Sequence, residues 1–103
     1  MDELKIFWTL SAKMQRNHIF EYWNERNQNK SYSRKLNLSI RERTKLLKTQ
    51  PKIGKKTHFK NTRVISLKHY SIIYKIEQSQ IIILAFWDNR QDSKKLFDFL
   101  KKI

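Results

Sequence analysis

Ile81 to Trp87 (IIILAFW) is apolar at all seven positions, the longest such run in the chain. A helix that crosses a membrane needs roughly 20 apolar residues, so this run belongs inside a soluble fold. Its length suits a strand, and a strand with no polar position has no face to offer water. The run therefore predicts a central strand covered on both sides. The remaining residues must supply neighbouring strands and two layers of cover.

The neighbours are legible. Tyr70, Ile72, Tyr74 and Ile76 alternate with Ser71, Ile73 and Lys75, a strand with one strongly apolar face, and EQSQ (77–80) turns it into the central strand. Arg63 to Leu67 reads as a preceding strand and Leu4 to Thr9 as the first. Between them lie two helical patterns. Ala12 to Asn27 places Ala12, Ile19, Tyr22 and Trp23 on one face, with Ser11 as N-cap. Ser31 to Lys48 repeats Tyr32, Leu36, Ile40, Arg43 and Leu47 at helix spacing and ends before Pro51, with Gly54 permitting a turn. A last helix starts at Ser93, capped by Asp92 or Ser93, with Leu96, Phe97 and Leu100 inward. The order is β-α-α-β-β-β-α, which predicts a single α+β domain over residues 1–103: a helical hairpin and a C-terminal helix on a mostly antiparallel four-stranded sheet.

Composition bears on partners. Twenty-three Lys and Arg against nine Asp and Glu leave a net charge of +14, which favours a polyanionic partner. From Arg43 to Lys75 there are ten basic residues and no carboxylate, while the acids sit at the two ends, from Asp2 to Glu42 and from Glu77 to Asp98. The absence of cysteine excludes disulfides, a thiolate nucleophile and a cysteine zinc site. His18, His58 and His69 lack metal-ligand spacing, so neither a metal nor another cofactor is expected. Without a visible signal peptide or spanning segment, the expectation is a cytoplasmic protein that does not engage a membrane.

Six strings, WTLSAK (8–13), EYWNERN (21–27), YSRKL (32–36), PKIGKKT (51–57), RVISLKHYSIIYKI (63–76) and IIILAFWDNRQDSKKL (81–96), occur in an order and spacing that resembles the RelE/ParE superfamily of toxins from bacterial type II toxin–antitoxin systems. Ser11 and Ser93 stand where the similar subgroup usually carries Pro, and both residues suit a helix start. The resemblance implies a toxin silenced by a cognate antitoxin, acidic or amphipathic, that covers its basic surface. It leaves two targets open. RelE-like members cleave messenger RNA on the ribosome, whereas ParE-like members poison DNA gyrase without catalysis.

The RelE-like reading, a metal-independent endoribonuclease, leads, because the ribosomal A site is dense with phosphate. Such a reaction needs a base, cations for the charge on phosphorus and an acid for the leaving oxygen. Arg63 and Arg90 match positions where the resemblance implies site arginines, and His58 is the group in that region able to titrate near neutrality. Lys55, Lys56, Lys60 and Lys68 are expected phosphate contacts. Each assignment has a local alternative. Arg63 also reads as a brace between sheet and helix, Arg90 as a partner of Asp88 or Asp92, and His58 as a solvated loop residue. Tyr70, Tyr74 and Trp87 read as packing, and His69 as an exposed turn residue. Asp88 and Asn89 are expected to orient Arg90. No carboxylate lies between Glu42 and Glu77 to act as a base there. The site reading requires the basic middle of the chain to form one cationic hollow rimmed by Arg90. A gyrase poison is the second reading, and a non-toxic basic RNA-binding protein the third.

Overall fold

The apolar run lies inside β5 (Gln80–Asp88), second in a five-stranded sheet. This is a computed structural model, and it describes residues 4–103; Asp2 and Glu3 lie outside the described residues. The elements are β1 (Lys5–Trp8), α1 (Leu10–Asn27), α2 (Ser31–Thr49), β2 (Lys55–Lys56), β3 (Thr62–Leu67), β4 (Tyr70–Glu77), β5 and α3 (Ser93–Lys101). The sheet order is β1-β5-β4-β3-β2. β1 runs parallel to β5, and the remaining pairs are antiparallel. The α+β architecture follows the sequence, with one strand more than the four expected. That strand, β2, is two exposed lysines paired with Val64 and Arg63, too short and too polar to show any alternation.

The helical hairpin covers one face of the sheet. Leu36, Ile40 and Leu47 from α2 and Ala12 from α1 pack with Leu67, Tyr70, Ile72, Tyr74, Ile81, Ile83 and Phe86. On the other face α3 lays Leu100 against Ile73, Leu84 and Ala85. Removing this carbon surface from water is the main driving term, about 1.5–3 kcal/mol for each large side chain fully buried. Tyr22, expected inward, is 51% exposed; the inward positions of α1 are taken by Ala12, Ile19 and Phe20.

Local chemistry sets the element ends. α1 begins two residues earlier than expected: Thr9 rather than Ser11 is the N-cap, its Oγ1 accepting the Ala12 N–H at 3.1 Å. Asp92, one of two expected caps, accepts the Lys94 N–H at 3.0 Å. In β5, Ala85 faces Ile73 while Ile83 faces Tyr74, so Leu84 is an inserted residue, a β-bulge. The bulge turns both Leu84 and Ala85 toward α3, while Ile81, Ile83 and Phe86 face the hairpin, so apolar cover on both faces is why no alternation shows in this strand. β1 stops at Trp8, opposite Ile83. Beyond that point the edge of β5 lacks a strand neighbour, and the Gln15 side chain of α1 fills in, its Oε1 accepting the Phe86 N–H at 2.9 Å.

Candidate functional site

Asp88 ends β5, and its carboxylate organises the next two residues. Asp88 Oδ1 accepts the Arg90 backbone N–H at 2.9 Å, closing an Asx-type turn. The same carboxylate accepts both ends of the Arg90 guanidinium, Nε at 2.9 Å and Nη2 at 2.8 Å. Such a two-point charge-assisted pair fixes direction as well as distance. Hydrogen bonding from Arg90 holds the Asp88 carboxyl below the usual carboxylate range, and in return raises the guanidinium's already high pKa. Asn89 does not join this pair as expected. Its N–H donates to the His69 carbonyl at 2.8 Å and its Oδ1 accepts the Ser71 hydroxyl at 2.7 Å, tying the segment to the start of β4.

Arg90 therefore stands, about half exposed, at the lip of a cavity of about 360 Å³ between this segment and α1. His18, Tyr22 and Arg26 line the α1 wall at four-residue spacing, with Trp23 beside them. The Trp23 indole donates to Tyr70 Oη at 3.0 Å, and Arg26 stands 5.8 Å from the Trp23 ring centroid. The cavity combines two arginines, a histidine, two aromatic rings and one carboxylate. Such a lining offers guanidinium donors beside aromatic faces, a mixed polar and planar contact surface. Its α1 wall was missed in the sequence. The available signal was the four-residue spacing of His18, Tyr22 and Arg26 itself.

Arg63 serves a different place. Its Nη1 donates to the carbonyls of Lys52 at 3.0 Å and Gly54 at 2.8 Å. Tyr74, its partner in the β3–β4 register, donates from Oη to the Pro51 carbonyl at 2.7 Å and accepts the Gly54 N–H at 3.0 Å. The two side chains thus clamp the turn between α2 and β2. Gly54 is the chain's one glycine, and a Cβ there would lie 2.6 Å from Tyr74 Oη and 2.9 Å from the Val64 carbonyl. Arg63 also borders a polar depression with Lys56 and Thr57.

The remaining candidates scatter. Lys55 and Lys56 form β2, and Lys60 is exposed in the β2–β3 connection. Lys68 occupies the β3–β4 turn at φ 57° and borders a depression containing Glu42 and Arg43. His58 is exposed and borders a groove on the outer face, against α3. From Tyr74, opposite Arg63, to Tyr70, opposite Asp88, β4 advances four residues, about 13 Å at ~3.3 Å per residue. Arg63, Arg90 and His58 thus belong to three separate environments, and the single cationic hollow expected from the sequence does not form. The physical reason is strand register: positions near the two ends of β4 cannot meet, and His58 opens to the opposite sheet face. Tyr70, Tyr74 and Trp87 pack as expected. Among the described residues no group of three or more His, Asp or Glu side chains is placed to hold a metal ion, and no helix is long and apolar enough to cross a membrane.

Comparison with known proteins bears on this architecture. A family model described as the ParE toxin of the type II toxin–antitoxin system parDE matches residues 6–93. Among solved structures, the chromosomal ParDE toxin–antitoxin system from P. aeruginosa superposes with a TM-score of 0.70 at 18% identity, covering 82% of this chain and 94% of that one. At that identity the likeness concerns the fold. No curated protein matches the sequence.

Proposed function

Because the chain belongs to the ParE toxin family of type II toxin–antitoxin systems, we propose that it inhibits growth by poisoning DNA gyrase in the cytoplasm, without cutting nucleic acid. The observation that carries this reading is the dispersal of Arg63, Arg90 and His58. General acid–base cleavage needs its groups within hydrogen-bond reach of one phosphate. Here one arginine clamps a turn, one lines the α1 cavity and the histidine faces away from both. A protein that acts by binding needs only a shaped, charged surface. The Arg90 cavity, with His18, Tyr22 and Arg26, is the contact we assign to the target.

The ribosome-dependent nuclease remains the second reading, favoured by one observation: Arg90 shares its cavity with His18, a side chain of the type most often used to move protons in catalysis. Incubation of the purified chain with gyrase, supercoiled plasmid and ATP separates the two. Protein-linked double-strand breaks, with unchanged RNA ends after expression in cells, support gyrase poisoning. New messenger RNA ends with intact plasmid support the nuclease.

A further inference from the structure

α2 is lopsided in charge. Between Ser31 and Thr49 it carries Arg34, Lys35, Arg41, Arg43, Lys45 and Lys48 against a single acid, Glu42. Arg34, Arg41 and Lys48 recur every seven residues, close to two helical turns, and Lys45 falls between the last two. At ~1.5 Å per residue this row runs for about 21 Å, nearly along the helix axis. Leu36, Ile40 and Leu47 are buried in the core, which turns the row outward. Arg34, Arg41 and Lys45 are exposed, and Lys48 is half-buried. Glu42 borders a separate depression with Arg43 and Lys68. Among the described residues the ion pairs are Lys75–Glu77 and Arg90–Asp88, so none of the four cations is paired with a carboxylate. Arg41 and Lys45 stand four residues apart and Lys45 and Lys48 three, the spacings at which like charges on a helix repel. A polyanion laid along the row relieves that repulsion.

The helix also discriminates between polyanions. A bilayer needs an apolar face that can sink into it, and that face of α2 is committed to the core, leaving Leu38 as its one exposed large apolar side chain. Single-stranded RNA is gripped by rings on which bases stack, and the only aromatic residue of α2, Tyr32, packs against the core. A duplex needs neither an apolar anchor nor a ring. Duplex DNA carries one charge per ~1.7 Å of its axis, so roughly 12 phosphate charges pass beside a row of this length.

We propose that the outward face of α2 binds duplex DNA without regard to sequence, with Arg34, Arg41, Lys45 and Lys48 against backbone phosphates. The choice of DNA rests on the gyrase reading, since gyrase holds a duplex where its poison acts. The surface is separate from the Arg90 cavity. Asn24 of α1 accepts the Ser33 hydroxyl of α2 at 2.6 Å and so faces α2. Tyr22 lies two residues away, about 200° around the helix, and lines the cavity. DNA on α2 and a protein at the cavity therefore approach from different sides and do not compete.

The test is fluorescence anisotropy of a short labelled duplex of arbitrary sequence, titrated with the full chain over a series of salt concentrations and without gyrase. Four phosphate contacts give a log–log salt slope of about −3 to −4. Arg34→Gln, Arg41→Gln and Lys45→Gln together should weaken binding at least tenfold and flatten the slope by about 2–3. Arg34→Lys with Arg41→Lys, which keeps the charge, should retain most of the affinity. Lys94→Gln, Lys101→Gln and Lys102→Gln together, an equal loss of charge on α3, should bind like the wild type. Circular dichroism verifies folding of each. Equal weakening by the α2 and α3 triple variants overturns the surface, as does tighter binding of single-stranded RNA than of the duplex. Gyrase-dependent plasmid breaks with duplex binding unaffected by the α2 variant overturn this proposal and leave the gyrase reading standing. Duplex binding that maps to α2 without such breaks sustains the surface and removes the gyrase reading alone.

Discussion

The indole N–H of Trp23 donates to the phenol oxygen of Tyr70 across 3.0 Å, joining α1 to the first residue of β4. Tyr70 is fully buried, its ring stacked on Phe86 at 5.2 Å. The wall of the Arg90 cavity is thereby fastened to the core. Tyr70→Phe keeps the stacked ring but leaves the indole donor without its partner. The expected cost is about 1–3 kcal/mol, read as a lower urea midpoint at unchanged slope.

The same phenol makes stability depend on alkaline pH. Burial is the largest cause raising the Tyr70 pKa to about 12, the Trp23 hydrogen bond opposing it. A free tyrosine titrates near ~10. The folded value is the higher one, so the stabilisation is complete below about pH 10 and is lost as pH rises toward about 12. Burial also raises the Tyr74 pKa, so both residues act in the same direction. Thermal midpoints measured across this range should fall, and Tyr70→Phe should make the fall shallower.

Gly54→Ala places a methyl group against Tyr74 Oη and the Val64 carbonyl. Backbone on one side cannot yield, so the expected loss is about 1–3 kcal/mol. Tyr74→Phe removes the nearer obstacle along with its hydrogen bonds to Pro51 and Gly54. The double variant should therefore lose less than the two single losses added together, a coupling measurable by chemical denaturation.

The two arginines should separate cleanly. Arg63→Ala frees the carbonyls of Lys52 and Gly54 and should cost about 1–3 kcal/mol of stability. Arg90→Ala, at an exposed side chain, should stay within ~0.5 kcal/mol of wild type. It should nonetheless weaken target inhibition about 10–100-fold, the loss of one charge-assisted contact. Growth after induction, beside denaturation of the purified variants, checks both.

Asp88→Asn keeps the turn but loses the charge that aims Arg90. Arg90 holds the Asp88 pKa below its ordinary value. The contribution is thus present above the usual carboxylate pKa of about 3.9 and disappears as pH falls through the lowered one. Stability of the wild type should show this acid step, and that of Asp88→Asn should not. The step is small, since Arg90 is solvent-exposed.

Much of the fold was readable because it depends on short-range pattern. Alternation from Tyr70 to Ile76, the four-residue spacing of Leu36 and Ile40 and the unbroken apolar run each signal burial directly. What escaped depends on geometry between elements. β2 exists because Arg63 and Val64 offer an edge to two lysines, which have no strand signature of their own. Thr9 displaced Ser11 as cap because β1 hands over to α1 at Trp8. Leu84 is a bulge, and in an all-apolar strand a bulge leaves no mark. The site suffered most. Arg63 looked like a phosphate ligand because nothing in its neighbours along the chain announces the Lys52 and Gly54 carbonyls that occupy it. His18, Tyr22 and Arg26 acquire meaning only once Asp88 and Arg90 come to rest opposite them.

The sheet finishes, on its β3 side, in a strand two residues long, both of them lysine. An open strand edge is a template on which another copy of a chain can add itself. Here an incoming twin would meet ammonium against ammonium and run out of backbone to pair with after a single step. On that side of the sheet, copies of the protein can crowd together without one chain extending the strand ladder of the next.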